Sequence, residues 1–273
     1  LGRAHTPADA ARAVETALAA DFRTVSIDLI YARPGQRLAD WRHELTAAAA
    51  LGSDHLSCYQ LTLASGTPFG RRAARGDLVE PPQRRQAELF MATHETLADL
   101  GYEGYEVSNF ARSPRHRSRH NLKYWKRAPY LGFGPSAHSQ VGAERWWNEA
   151  RSGAYVERIE AGEPAVAGRE SLSADEELLE RVMLGLRTRV GLDLAGLEAR
   201  FGVELWRPNR ARLERWSEAG WVEIPRPGRL RPTPAGLAVA DHLAATLELP
   251  SDRTAIQPER TAASANGRLA IQP

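Results

Sequence analysis

Between residues 7 and 61 the hydrophobic pattern runs helix, strand, helix, strand, and few folds accept that order. Residues 7–20 predict a helix, with Thr6 as N-cap, Pro7 at its first position and Ala11, Val14 and Leu18 on one face. A β-rich run at 25–30 follows and ends in Arg33-Pro-Gly-Gln36. A helix over about 39–51 then leads to a second buried-strand pattern at 55–61. Such alternation builds βα units whose strands lie parallel. Pro81-Pro82 opens another helix, about 83–100, stopped by Gly101; 103–110 reads as a third strand and the glycine-rich 130–139 as a fourth.

From about Ser171 the texture changes. Leu178, Leu179, Val182, Met183 and Leu186 fall at helical spacing within 175–187, and 193–201 and 205–219 predict two more helices. A hairpin follows, 221–224 and 229–231 around the Pro225-Arg-Pro-Gly228 turn, and then a helix from Pro234. Three helices, a β wing and a closing helix describe a winged-helix module. Residues 250–273, rich in Ser, Pro, Ala and Arg without periodicity, predict a disordered tail. The expected organisation is an α/β unit over 1–165, an α+β unit over 166–249 and the tail.

Composition sets limits on function. No apolar run approaches the ~18 residues of a spanning helix, and a net charge of +2 demands neither nucleic acid nor a membrane surface. Cys58 is the single cysteine, which excludes an intramolecular disulfide and any cysteine-held cluster built by this chain alone. Charges at Arg3, Asp9, Arg12 and Glu15, with no apolar stretch before a cleavage site, read as a cytoplasmic address. The chain opens on Leu1 rather than methionine, which predicts further chain upstream.

Two stretches carry chemistry. Ligands of parallel α/β folds sit at the carboxyl ends of strands, and Asp28 lies near that end of the first predicted strand. It is placed to accept from ribose hydroxyls, or to cap the next turn or pair with an arginine. Residues 112–127 hold Arg112, Arg115, Arg117, Arg119, Lys123, Lys126 and Arg127, with His116 and His120 and no acidic residue. Tyr124, Trp125 and Tyr130 stand among or beside them. That mixture suits phosphates and bases, a flat macrocycle bearing carboxylates, or a solvated basic loop. His120 has the chemistry of an iron ligand, though a lone histidine is more often structural or merely exposed. His55 and His94 read as structural. Gly132-Phe-Gly-Pro-Ser-Ala-His-Ser139 permits close backbone approach to a ligand or a tight turn. Arg207, Arg210, Arg212 and Arg215 on one predicted helix invite a nucleic-acid reading that Glu204, Glu214 and Glu218 dilute.

Taken together, Leu1-Gly-Arg-Ala-His5, Ile27-Asp-Leu-Ile-Tyr31 with Pro34-Gly35-Gln36, Asp54-His55-Leu-Ser57 with Tyr59, Gly66-Thr67, Gly101-Tyr102, Tyr105-Glu-Val-Ser-Asn-Phe-Ala111, His120-Asn121 with Tyr124-Trp125, and the 132–139 segment resemble the radical S-adenosylmethionine proteins related to oxygen-independent coproporphyrinogen III oxidase. The His-Asn-x-x-Tyr-Trp motif is similar to that of the HemW-type haem chaperones. The resemblance spans about residues 1–247. It implies a partial (β/α) barrel followed by a winged-helix-like C-terminal domain. It also implies a cluster loop, Cys-x₃-Cys-x₂-Cys, for a 4Fe–4S centre, and that loop is not in this sequence; the chain resembles the C-terminal two-thirds of such a protein. Residue by residue, the resemblance implies that Arg3, Asp28 and Thr62 contact S-adenosylmethionine. It implies that His120 binds haem iron, with Asn121, Tyr124 and Trp125 completing the pocket and nearby arginines pairing with propionates. The family's Gly-Leu after Ile-Tyr is here Ala32-Arg33.

The expected function is haem binding and delivery to apoproteins in the cytoplasm. Its rivals are radical oxidative decarboxylation of coproporphyrinogen III and a winged-helix nucleic-acid-binding module, the latter the weaker reading. Self-association into a homodimer stays open.

Overall fold

The computed structural model describes residues 4–250; Arg3 and nearly all of the expected tail lie outside the described residues. Helix α1 (Pro7–Ala19) opens on a reciprocal capping box, in which Thr6 Oγ1 accepts from the Asp9 amide at 3.2 Å and the Asp9 carboxylate accepts from the Thr6 amide at 2.8 Å. None of its residues is buried. Strands β1 (Ser26–Tyr31) and β2 (His55–Gln60) pair in parallel, with Ser26 opposite His55 and Asp28 opposite Ser57. The crossover between them is α2 (Leu38–Ala50). Helices α3 (Pro68–Ala74) and α4 (Gln83–Asp99) follow.

Alternation along β1 and β2 separates two chemistries. Ile27, Leu29, Tyr31, Leu56 and Cys58 join Trp41 and Leu45 of α2 and Leu89 and Leu97 of α4 in one apolar cluster. Trp41 is fully buried, and its indole nitrogen donates to Thr93 Oγ1 at 2.8 Å, so the one polar atom of that ring is satisfied. Ser26, Asp28, His55, Ser57 and Tyr59 point the other way, into a cleft. Cys58 sits on the apolar side, and burial pushes its thiol well above the ordinary range. Just past β1, Ala32 is buried and adopts a left-handed backbone (φ 58°), a conformation that glycine would take without a Cβ penalty.

The sheet is less parallel than the sequence pattern predicts. The segment expected as one strand at 103–110 is two short strands, β3 (Glu103–Gly104) and β4 (Asn109–Ala111), paired antiparallel to each other, and β4 runs antiparallel to β2. The sheet order is β1-β2-β4-β3, and it stays open. The physical reason is that 105–107 is drawn out of the sheet to pair with 187–189: Val107 N–H donates to Arg187 O and Arg189 N–H to Tyr105 O, both at 3.0 Å. Beyond helix α5 (Arg119–Trp125), the predicted strand at 130–139 is mostly irregular. It makes a single bridge, Tyr130 to Gln140, and Gly134 and Ser136 both take positive φ. Gly132 lies so close to the His138 carbonyl that a Cβ would fall 2.2 Å from its oxygen.

A separate antiparallel sheet follows: β5 (His138–Val141), β6 (Glu144–Asn148), helix α6 (Ser152–Glu160) and β7 (Val166–Ser171), in the order β5-β6-β7. The expected division between residues 165 and 166 therefore falls between two strands of one sheet. The C-terminal part contains α7 (Ala174–Gly185), β8 (Leu192–Asp193), α8 (Leu194–Phe201), α9 (Trp206–Glu218), the wing β9 (Val222–Arg226) and β10 (Arg229–Pro232), then α10 (Pro234–Ala238) and α11 (Ala240–Thr246). Leu178, Val182, Leu186, Leu205, Leu213, Trp216 and Leu230 form its own apolar cluster.

Two predictions follow from this packing. Leu45→Ala, at a fully buried site between α2 and α4, destabilises the chain by about 2–5 kcal/mol in urea denaturation. Glu106, on the segment that pairs with 187–189, is fully buried, and desolvation lifts its carboxyl from 4.5 to about 7 against opposing hydrogen bonds from Asn109 and the Ser108 amide. The folded chain holds that proton more tightly than the unfolded chain, so stability falls as pH rises from about 4.5 to about 7 and levels off above. Glu106→Gln removes this slope and gains up to about 3 kcal/mol over wild type at pH 8, read by denaturation across pH.

Candidate binding cleft and the helix beside it

The polar face of β1 and β2 forms one wall of a cleft of about 890 Å³, closed on the other side by residues 115–119 and Asn121. Its volume is in the range of small-molecule sites. Asp28 stands mid-strand on this wall, not at the strand's end as expected; the alternation of β1, not its terminus, delivers the carboxylate. Among the described residues no ion pair or hydrogen bond engages it, so toward them its oxygens are free to accept. Around the rim are Arg23, Arg115, Arg117, Arg119 and His116. Arg117 donates to Glu103 at 2.8 Å, while its Nε is buried and has no partner among the described residues. A donor in that state suits an acidic group.

His55, read from sequence as structural, lines the cleft and organises it. Its Nδ1 lies 2.8 Å from Ser26 Oγ and its Nε2 2.9 Å from the Tyr105 hydroxyl, which accepts from the Ser118 amide at 3.0 Å. Burial lowers the His55 pKa below its ordinary value, against the pull of Asp28, and lifts that of Tyr105 to about 12. The period-2 pattern of polar residues at 26 and 28 and at 55, 57 and 59 was the signal that would have found this wall.

Helix α5 carries the histidine–aromatic motif and is fastened at both ends. At its start Ser118 Oγ accepts from the Asn121 amide at 3.2 Å. At its end the Arg127 side chain is buried against α7, 3.1 Å from Glu177 and bonded to Glu180. Arg127 itself adopts a positive φ of 53°. With the Gln140 amide oxygen turned toward it, the guanidinium gains two further bonds at 3.0 Å. Burial works to raise the Glu177 pKa, but the hydrogen bond from Arg181 and the charges of Arg127, Arg181 and Arg200 prevail and hold it below the ordinary carboxylate range.

The motif residues do not share one cavity. Asn121 lines the cleft. His120 and Tyr124 are exposed and meet edge to face at 4.9 Å, and Tyr124 in turn meets Tyr130 at 4.7 Å. The His120 ring nitrogens take no hydrogen bond from the described residues. Trp125 turns with Leu122 and Lys126 into a second groove of about 350 Å³ against α7 and α8. Thr62, just beyond β2, is exposed and outside the cleft lining. His94 is buried between Phe90 and Phe110, as expected of a structural histidine. Among the described residues no group of three or more His, Cys, Asp and Glu side chains is placed to hold a metal ion. On α9, Arg207 pairs with Glu204, Arg210 with Glu214 and Arg212 with Glu248, so acidic partners answer three of the four arginines that suggested nucleic acid.

Comparison with known proteins places this geometry in a family. Residues 172–239 match the HemN C-terminal domain. The solved structure of the Escherichia coli protein described as "Coproporphyrinogen III oxidase (HemN)", a radical SAM enzyme, superposes with a TM-score of 0.67 over 89% of this chain and 59% of that one, at 18% identity. The fold is accordingly that of the HemN-like radical SAM proteins: part of their α/β barrel, followed by the C-terminal domain. By sequence, proteins named Heme chaperone HemW are 40% identical in Mycobacterium tuberculosis strain H37Rv, over 73% of this chain and 51% of that protein, and 32% identical in Bacillus subtilis strain 168, over 75% and 54%. A mouse relative, Radical S-adenosyl methionine domain-containing protein 1, mitochondrial, is 34% identical over 72% and 41%. The chain is similar in sequence to the HemW-type proteins, and it spans about half the length of the curated relatives it matches.

Because Arg127 neutralises Glu177 and Glu180 in a largely buried setting, Arg127→Met costs on the order of 3 kcal/mol. The loss resists added salt, as screening reaches buried pairs weakly; thermal unfolding at two ionic strengths checks both points.

Proposed function

We propose that this chain is the haem-holding part of a HemW-type chaperone, which binds haem as cargo beside α5 and passes it to apoproteins in the cytoplasm. One observation carries the reading: α5, anchored at both ends, presents an exposed imidazole with unbonded nitrogens next to a basic rim. Iron takes a neutral imidazole nitrogen that no other donor or acceptor occupies. His120 would supply it, Tyr124 would pack against the macrocycle, and Arg115 and Arg119 would pair with propionates as charge-assisted hydrogen bonds. Asn121 faces the cleft and Trp125 the neighbouring groove, so each would meet a bound group from a different side.

The cleft suits S-adenosylmethionine in volume and in its unpaired carboxylate. Asp28 would accept from ribose hydroxyls, and Arg117 Nε is an unfilled donor for the amino-acid carboxylate. Arg3 and Thr62 are further proposed contacts on the strength of the motif alone. A 4Fe–4S cluster finds no ligand set among the described residues, since Cys58 is buried in the apolar layer; the cluster would belong to the longer protein. No helix among the described residues is long and apolar enough to cross a membrane. Residues 4–171 are proposed as one unit and 172–249 as a second.

The experiment is a haemin titration followed by the Soret band. His120→Ala lowers affinity by about tenfold or more, and Tyr124→Ala by less. Asp28→Asn leaves haemin affinity within about twofold while weakening S-adenosylmethionine binding by about tenfold, measured by calorimetry. An unchanged Soret titration in His120→Ala overturns the reading. Decarboxylation of coproporphyrinogen by the longer protein would support the oxidase reading instead.

A further inference from the structure

The polar wall of the cleft and the first turn of α5 are joined by a continuous run of hydrogen bonds: Ser26 Oγ to His55 Nδ1, His55 Nε2 to the Tyr105 hydroxyl, and that hydroxyl to the Ser118 amide. Ser118 is the N-cap of the helix, its own Oγ holding the Asn121 amide. The run crosses from β1 through β2 and the drawn-out segment at 105–107 to α5, four pieces of chain that the sequence separates widely.

Proton accounting gives the run a direction. The Tyr105 oxygen accepts from the Ser118 amide, and among the described residues the partner placed to accept the hydroxyl's single proton is His55 Nε2, in the tautomer that carries its own proton on Nδ1. In a neutral His55 the remaining proton then sits on Nδ1 and is donated to Ser26 Oγ. The Ser26 proton is left over, and Ser26 lines the cleft. A ligand acceptor that takes this proton polarises each bond behind it, because hydrogen bonds in series strengthen one another.

We propose that Ser26, His55 and Tyr105 are positioning residues that couple the cleft to the N-terminal turn of α5, so that a ligand seated in the cleft tightens the helix bearing His120. The coupling rests on the cleft assignment made above, and the two-state element is the first turn of α5, capped or frayed. Ser26 makes no hydrogen bond to α5 among the described residues; the hydrogen bonds that link it to that helix pass through His55 and Tyr105.

The test is amide hydrogen exchange at Ser118, Asn121 and Leu122, followed by NMR in the chain as it stands, with S-adenosylmethionine as the cleft probe and no haem present. Tyr105→Phe speeds exchange at these amides by about fivefold or more, and Ser26→Ala by about threefold. Ser26→Thr, which keeps the hydroxyl, restores wild-type exchange to within about twofold. S-adenosylmethionine slows exchange in the wild type and loses that effect in Tyr105→Phe. Wild-type exchange in Ser26→Ala, or protection by S-adenosylmethionine that survives in Tyr105→Phe, overturns the coupling. Loosening by Ser26→Ala with no response to S-adenosylmethionine sustains the run and removes S-adenosylmethionine as its ligand. A negative haemin titration bears on the chaperone reading alone.

Discussion

The register of β1 against β2 is the constraint on which the site depends. With Ser26 opposite His55 and Asp28 opposite Ser57, these four polar side chains face the cleft, while Ile27, Leu29, Leu56 and Cys58 between them face the apolar cluster of α2 and α4. A slip of one residue in either strand would turn that strand over, placing the Asp28 carboxylate or the His55 imidazole against Trp41 and Leu45. The apolar burial that stabilises the unit is thus the same fact that aims the cleft residues. Specification comes from the oily side and chemistry from the other.

The second determinant is the immobilisation of a short helix. A seven-residue helix has little stability of its own, and α5 borrows its order from its ends. Ser118 ties the start to Tyr105, and Arg127 ties the end to the acidic residues of α7. The exposed His120 is therefore displayed on a rigid mount without being enclosed. On the proposed reading, a carrier that must release haem has reason to hold it from one open side.

Much of the frame could be read from residue pattern. The helices at 7–20, 39–51 and 83–100, the two parallel strands and the helix–wing order after 171 follow from periodicity, Pro and Gly punctuation and capping residues, and the structure places them within a residue or two. The antiparallel turn of the sheet was not legible. It depends on 105–107 leaving the sheet for a partner some eighty residues away, a long-range choice that local propensity does not encode. The cleft was half legible. Asp28 was identified, but its setting in mid-strand and the part played by His55 required the register. The His-Asn-x-x-Tyr-Trp motif suggested one pocket, whereas helical geometry sets the 120/124 pair about 100° round from the 121/125 pair, and Asn121 and Trp125, one turn apart along the axis, line different hollows.

The backbone pairing of 105–107 with 187–189 also governs how the molecule can be divided. A C-terminal module cut out at residue 172 would carry its apolar cluster intact, but the Arg187 carbonyl would lose the Val107 amide and the Arg189 amide would lose the Tyr105 carbonyl. An unpaired edge of this kind templates strand addition by another molecule. Excised in that way, the winged module would acquire a self-adhesive seam that the intact chain keeps covered.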